Sequence, residues 1–287
     1  KEDKEDKEDK EDKEDKEDKK DKKDKEEIIL EILKQKPDLN IQNYIGQTVL
    51  IYALEHCKNK KILLEILKQK PVLNYKYKVD QKILFYAFEH CSYTKVLLEI
   101  INKISNINSK DMYGNTVLLY AFEHCSNEKV LLEILKQKPD LNIQYYNNET
   151  AIMHAFKHCS NEKVLLEILK QKPDLNLQDK YDKTTAIMRA FKQFTNEKVL
   201  LEILKQKPDL NLQDKYNKTA LYYAFKHYAK KPEFKFYVLE KLYYQSSCED
   251  REKFNSKYIK LRNKHKIFPL ILFRNQKRNQ NKNQYKN

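Results

Sequence analysis

Glycine is nearly missing from these 287 residues: only Gly46 and Gly114 are present, and tryptophan is absent altogether. A loop that grips phosphate needs several glycines so that backbone N–H groups can approach the anion, so that nucleotide-binding class is excluded. The chain has no HExxH motif, no GxSxG motif, and no apolar run of the length a membrane-spanning helix needs. The first 27 residues lack apolar side chains entirely: KED repeated six times, then KKDKKDKEE, carries eleven lysines against sixteen acids. With nothing to bury, this segment is expected to be disordered, or at most a charged helix or coiled coil held by Asp-to-Lys pairs four apart, such as Asp3 to Lys7.

Repetition is what the sequence has in abundance. HCSNEKVLLEILKQKPDLN at 124–142 returns unchanged at 158–176, and its NEKVLLEILKQKPDLN portion returns at 196–211. Prolines at Pro37, Pro71, Pro139, Pro173 and Pro208 keep a beat of 34 residues, with Ser105 at the skipped position and one step of 35 caused by the doubled Thr184 and Thr185. Alanines at Ala53, Ala87, Ala121, Ala155, Ala190 and Ala224 keep the same beat. The chain therefore divides into a half unit at 28–40, units at 41–74, 75–108, 109–142, 143–176 and 177–211, and a diverged capping unit at 212–245. A C-terminal cap segment and basic tail occupy 246–287.

Within a unit, VLLEILKQK places Val130, Leu131, Ile134 and Leu135 on one stripe at helical spacing, and Pro139 stops that helix. An earlier helix follows Thr116, with Leu118, Ala121 and Phe122 on its inner face. Asn127, in the short turn between the two, is a helix cap. The polar and aromatic DLNIQYYNNE between units has no helical stripe and is expected to be an extended finger or loop.

Two helices per period of about 34 residues fit two families. The tetratricopeptide pattern needs a tryptophan, absent here. The chain instead resembles the ankyrin repeat family, best at DMYGNTVLLYAF, where Asp111, Gly114, Thr116, Leu118 and Ala121 match the family's pattern, and at PDLN, where Asp140 and Asn142 do. The resemblance spans 28 to about 245 and implies an all-α, ankyrin-like helical repeat solenoid with short hairpin or loop fingers. The proline after the threonine is replaced by Val or Ala, and Asn148 and Asn217 stand where loop glycines belong, so the fingers are expected to be less regular than in the family. Asparagine tolerates the left-handed backbone that glycine otherwise supplies.

The family grips partners with its finger tips and the exposed end of its first helix, the concave side. Carried over, that surface comprises Glu55, Glu89 and Glu123 in the first three units and Lys157, Lys192 and Lys226 in the last three, flanked by His56, His90, His124, His158 and His227. The sign changes halfway, on a frame whose second helices are copied. Glutamates about 10 Å apart in water repel by roughly 0.4 kcal/mol before salt screening, so the ladder is tolerable. It would favour a basic segment in the first half and an acidic one in the second, the equal alternative being uncommitted surface drift after duplication. Tyr44, Tyr113, Tyr145, Tyr146, Tyr181 and Tyr216 recur near the finger apex as candidate aromatic anchors.

Cys57, Cys91, Cys125 and Cys159 recur once per unit. Stacked helices lie about 8–10 Å apart, too far for a disulfide or for a shared zinc. Reduced thiols point to a cytoplasmic or nuclear setting. Adjacent Cys and His side chains on a helix diverge by about 100°, and a pair copied four times is not the mark of a single active site. Neither catalysis nor a cofactor or metal is expected. The expected role is a monomeric scaffold for another protein. The alternative is contact with nucleic acid or an anionic surface through RNQKRNQNKNQYKN at 274–287, which has five basic residues and no acid, and whose plainer reading is a solvated tail. KIFPLILF at 266–273 reads as a patch on the last unit or as a docking peptide.

Overall fold

The computed structural model describes residues 23–73, 80–111, 114–193, 196–230 and 236–264. Tyr113, the KIFPLILF stretch, the basic tail and residues 1–22 lie outside the described residues. Within them the chain is all-helical, with fourteen helices and no strand. None of these helices is long and apolar enough to cross a membrane.

Helix α1 (residues 23–34) begins inside the charged segment assigned to 1–27, with Lys23 Nζ and Glu27 Oε1 3.9 Å apart one turn on. The first helices of the six full units are α2 (Val49–His56), α4 (Asp80–His90), α6 (Val117–His124), α8 (Ala151–His158), α10 (Ala186–Gln193) and α12 (Ala220–Lys230). Their second helices are α3 (Lys60–Lys68), α5 (Thr94–Ile101), α7 (Glu128–Lys136), α9 (Glu162–Lys170), α11 (Glu197–Lys205) and α13 (Phe236–Gln245), followed by α14 (Cys248–Lys264). Each first helix packs on the first helices of the neighbouring units, each second helix on the second helices, and the two helices of a unit on each other. The result is a two-layer stack.

The stack follows from the stripes. Val130, Leu131, Ile134 and Leu135 of α7 are all buried, and so are the matching residues of α9 and α11. Burying one such side chain is worth about 1.5–3 kcal/mol, and no unit has enough partners of its own to do so. At the C-terminal end α14 closes the layer of first helices, with Phe254 stacked 5.1 Å from Phe225 and 6.3 Å from Tyr222. The sequence pattern carried no sign of this seventeen-residue helix.

Copying one segment makes each copy bond to the next. Asn59, Asn127, Asn161 and Asn196 cap the second helices with their Oδ1 atoms. The other side-chain atom of the cap reaches backwards: Asn161 Nδ2 donates to Glu128 Oε2 at 3.0 Å and Asn196 Nδ2 to Glu162 Oε2 at 2.8 Å. Gln171 Nε2 donates to Leu135 O at 2.9 Å, a carbonyl at the end of the preceding unit's helix that also accepts from Lys138 N–H at 3.0 Å, and Gln206 does the same for Leu169 at 2.8 Å. Asn142 Oδ1 accepts from the Asp174 N–H at 2.7 Å, and Asn176 Oδ1 from Asp209 at 2.8 Å. NEK, KQK and PDLN thus serve as matched halves of one inter-unit seam.

Among the described residues the fingers are turns rather than hairpins, with isolated antiparallel bridges at Gln42 to Thr48 and Gln178 to Thr185. Asn148 (φ 58°) and Asn217 (φ 57°) adopt the left-handed conformation expected of them, beside Gly46 and Gly114. Lys36, Lys70, Lys138, Lys172 and Lys207 adopt it too, each one residue before the proline position, so a lysine rather than a glycine ends each of these helices. The left-handed backbone costs a side-chain-bearing residue roughly 1–2 kcal/mol, part of which glycine gives back as unfolded-state entropy. Lys138→Gly is therefore expected to raise stability by about 0.5–1 kcal/mol, read as a higher midpoint in thermal unfolding.

Candidate partner-binding groove

On a first helix such as α6, the inward face is set by Leu118, Ala121 and Phe122, all buried. The remaining positions at the helix end, Glu123 and His124, stay exposed. Glu55, Glu89 and Glu123 keep 30%, 40% and 32% of their side-chain surface exposed, and each lies 3.7–3.9 Å from the histidine that follows it. His90 stacks with Tyr86, His56 meets Tyr52 at a tilt of 52°, and His124 meets Phe85 edge-on. Lys157, Lys192 and Lys226 are exposed, and two of them lie over aromatic faces: Lys192 Nζ 5.9 Å from the Tyr223 ring and Lys226 Nζ 6.0 Å from Tyr222.

Two of the aromatic and imidazole candidates are placed differently. His227 is buried, with Nδ1 3.3 Å from the Lys192 carbonyl of the preceding unit. Tyr145 is also buried, its hydroxyl 3.2 Å from Thr116 Oγ1, and burial pushes its phenol well above the ordinary value. Tyr44, Tyr146, Tyr181 and Tyr216 stand out from the fingers as expected, Tyr44 at 98% exposure. Lys180 lies between Tyr146 and Tyr181, and backbone bonds from Lys180 N to Asn147 O at 2.7 Å and from Lys215 N to Asp182 O at 2.9 Å tie neighbouring fingers together.

The cysteines are all free. Burial raises the Cys91, Cys125 and Cys159 thiols, with backbone hydrogen bonds opposing it in part, so the thiol form dominates and these side chains are poor nucleophiles.

The position before each register alanine proves to be a second working surface. In the third unit the Tyr120 hydroxyl donates to Asp111, and in the sixth the Tyr223 hydroxyl donates to Asp214. Burial, then the Asp111 bond, pushes Tyr120 up to about 12. In the fourth and fifth units His154 and Arg189 take the tyrosine's place. Arg189 Nη2 binds Glu149 and lies 3.1 Å from Asp179 Oδ2, while His154 Nε2 lies 2.7 Å from Glu149 Oε2. Asp179 also receives Thr184 N at 3.0 Å and Asp182 N at 2.7 Å. Burial works to raise the Glu149 carboxyl, but the His154 hydrogen bond and the Arg189 charge outweigh it and hold the group far below the usual carboxylate range. For Asp179, burial is likewise outweighed, by Thr184, the Asp182 N–H and Arg189, and the group is lowered. Beside this network is a cleft of about 200 Å³, lined by Lys157, Asp182, Lys192 and Tyr223 among others.

No protein-family model and no curated protein matches this chain.

At the opposite end, α2 has no first helix on its outer side among the described residues. A cleft of about 840 Å³ opens there, walled by Ile29, Ile41, Val49, Tyr52, Ile62 and Ile66. Ile41, Val49 and Tyr52 are exposed at 67%, 39% and 54%, an apolar patch in a cleft that His56 also lines. Sequence reading missed both features. The signal for the ionic network was present, because Tyr52, Tyr86, Tyr120 and Tyr223 share a register that only His154 and Arg189 break.

Proposed function

We propose that this chain is an ankyrin-like, non-enzymatic repeat scaffold that holds another protein along the groove between fingers and first helices. The occupant fitting this groove is a two-signed segment: a basic stretch with apolar anchors along Glu55 and Glu89, its anchors entering the cleft at Ile41, Val49 and Tyr52, continuing into an acidic stretch along Lys192 and Lys226. The observation that carries this reading is the change of sign along one ridge of an otherwise copied frame. The side chains that build the seam and core repeat from unit to unit, whereas the groove position held by glutamate in the first three units is held by lysine in the last three. Exposed finger tyrosines add amphipathic contact area of the kind enriched at protein interfaces.

The test is a titration of a labelled synthetic peptide of lysines spaced by leucines against the full chain. Glu55→Lys combined with Glu89→Lys should weaken binding at least tenfold while leaving the helical circular dichroism unchanged. Equal affinity of wild type and double variant would remove the groove from the account. Glu123 is left in place because it touches His154.

A further inference from the structure

The geometry points to a divalent metal site of zinc type in the middle of the groove, formed by His154, His158 and Glu123, with one coordination position left open. Each of the three offers a ligand atom, and these atoms lie within 4.8 Å of one another. His154 and His158 are one turn apart on α8, their rings nearly parallel at 14° with centroids 5.8 Å apart. Glu123 reaches them from the end of α6. This is the only described unit in which the register position before the alanine and the position four residues on are both histidine, so the cluster is not a by-product of duplication.

The second observation is at His154 itself. Its side chain is 8% exposed, and its Nε2 faces Glu149, an anion held by Arg189 that can only accept. Nε2 must therefore carry a proton, as metal-binding histidines hold their remote nitrogen against a carboxylate. The other nitrogen, Nδ1, is buried and makes no hydrogen bond, although Glu123 Oε1 is 3.3 Å away. A buried ring nitrogen thus faces a carboxylate oxygen without a hydrogen bond between them, an arrangement that a shared cation relieves. Zinc bonds to nitrogen and oxygen of about 2.0–2.1 Å at tetrahedral angles put neighbouring donors about 3.3–3.4 Å apart. The His154–Glu123 spacing already has that value. His158 is exposed at the helix end and closes the remaining distance by turning its side chain. Around the site Glu123, Glu149 and Asp179 favour a cation, while Arg189 and Lys157 oppose it. Two histidines and one carboxylate leave the fourth zinc position to water or to a group from a bound protein. The inference does not rest on the proposed function, since metal binding is read without any partner.

The experiment titrates the reduced full-length protein with Zn²⁺ by calorimetry and with Co²⁺ by visible absorption. One equivalent is expected to bind at micromolar metal, with the absorption of a tetrahedral site and a raised thermal midpoint. His158→Gln, at an exposed position, should weaken binding at least tenfold without changing the midpoint of the metal-free protein, and Glu123→Gln should weaken it as well. Cys159→Ser, next to His158, should leave it unchanged. Absence of one-equivalent binding at these concentrations would overturn the site, as would binding that survives His158→Gln but is lost in Cys159→Ser.

Discussion

Arg189→Met is expected to destabilise the stack by about 3–5 kcal/mol, because it removes the cation from two carboxylates that stay buried. The Glu149 and Asp179 side chains are 12% and 4% exposed and Arg189 itself 15%, so water cannot take over the lost contacts. Arg189→Tyr should recover part of the loss. It restores the residue type that bonds Asp111 in the third unit and Asp214 in the sixth, which would satisfy Asp179 but leave Glu149 with His154 alone. The same network sets an acid limit. Both carboxyls are held below their ordinary values in the folded state, so their contribution is complete above the unfolded values of about 3.9–4.3 and is lost as pH falls through and below that range. Urea unfolding of the wild type is expected to weaken steadily below about pH 5, and Arg189→Met should show a shallower decline, having less to lose.

Phe156→Ala is expected to cost about 3–5 kcal/mol. The ring is 1% exposed in the middle of the layer of first helices, and α8 packs on both α6 and α10. Because each unit buries its stripe against its neighbours, the damage should not stop at the mutated helix. Hydrogen exchange should accelerate in α6, α8 and α10 together and leave α2 and α3 nearly unchanged. By contrast, Lys163→Ala breaks only an exposed ion pair with Glu128, 2.8 Å long, and should change stability by less than about 1 kcal/mol.

Most of the frame was legible because it is written several times. Pro139 and Ala121 recur with a constant step, Val130, Leu131, Ile134 and Leu135 describe their own buried stripe, and Asn127 marks its helix start; the structure places each accordingly. Asn148 and Asn217 in left-handed turns followed from their place opposite the two glycines. Lys138 did not, since nothing local distinguishes a lysine that continues a helix from one that ends it, and the proline after it explained termination equally well. Tyr145 resembled its exposed neighbour Tyr146 in sequence, and only the packing of one unit on the next buries it. Glu149, His154 and Arg189 were passed over for a similar reason: their partnership spans two units, and forty residues separate Glu149 from Arg189. His227 was grouped with four exposed histidines by register, but it is buried, with its ring nitrogen against the Lys192 carbonyl thirty-five residues earlier, a contact across units that its own position does not reveal.

The proposed scaffold role requires a groove that reads charge and apolar content in order, acidic and oily beside α2 and α4, basic beside α10 and α12. A synthetic two-block peptide, leucine-spaced lysines followed by glutamates, carries a nitroxide at one end, and the amide signals of the isotope-labelled chain are recorded with it bound. The nitroxide on the lysine end should broaden α2 and α4, on the glutamate end α10 and α12, and in neither case the outward faces of α7 and α9. Broadening that ignores which end carries the label, or that falls on the second helices, would contradict the account.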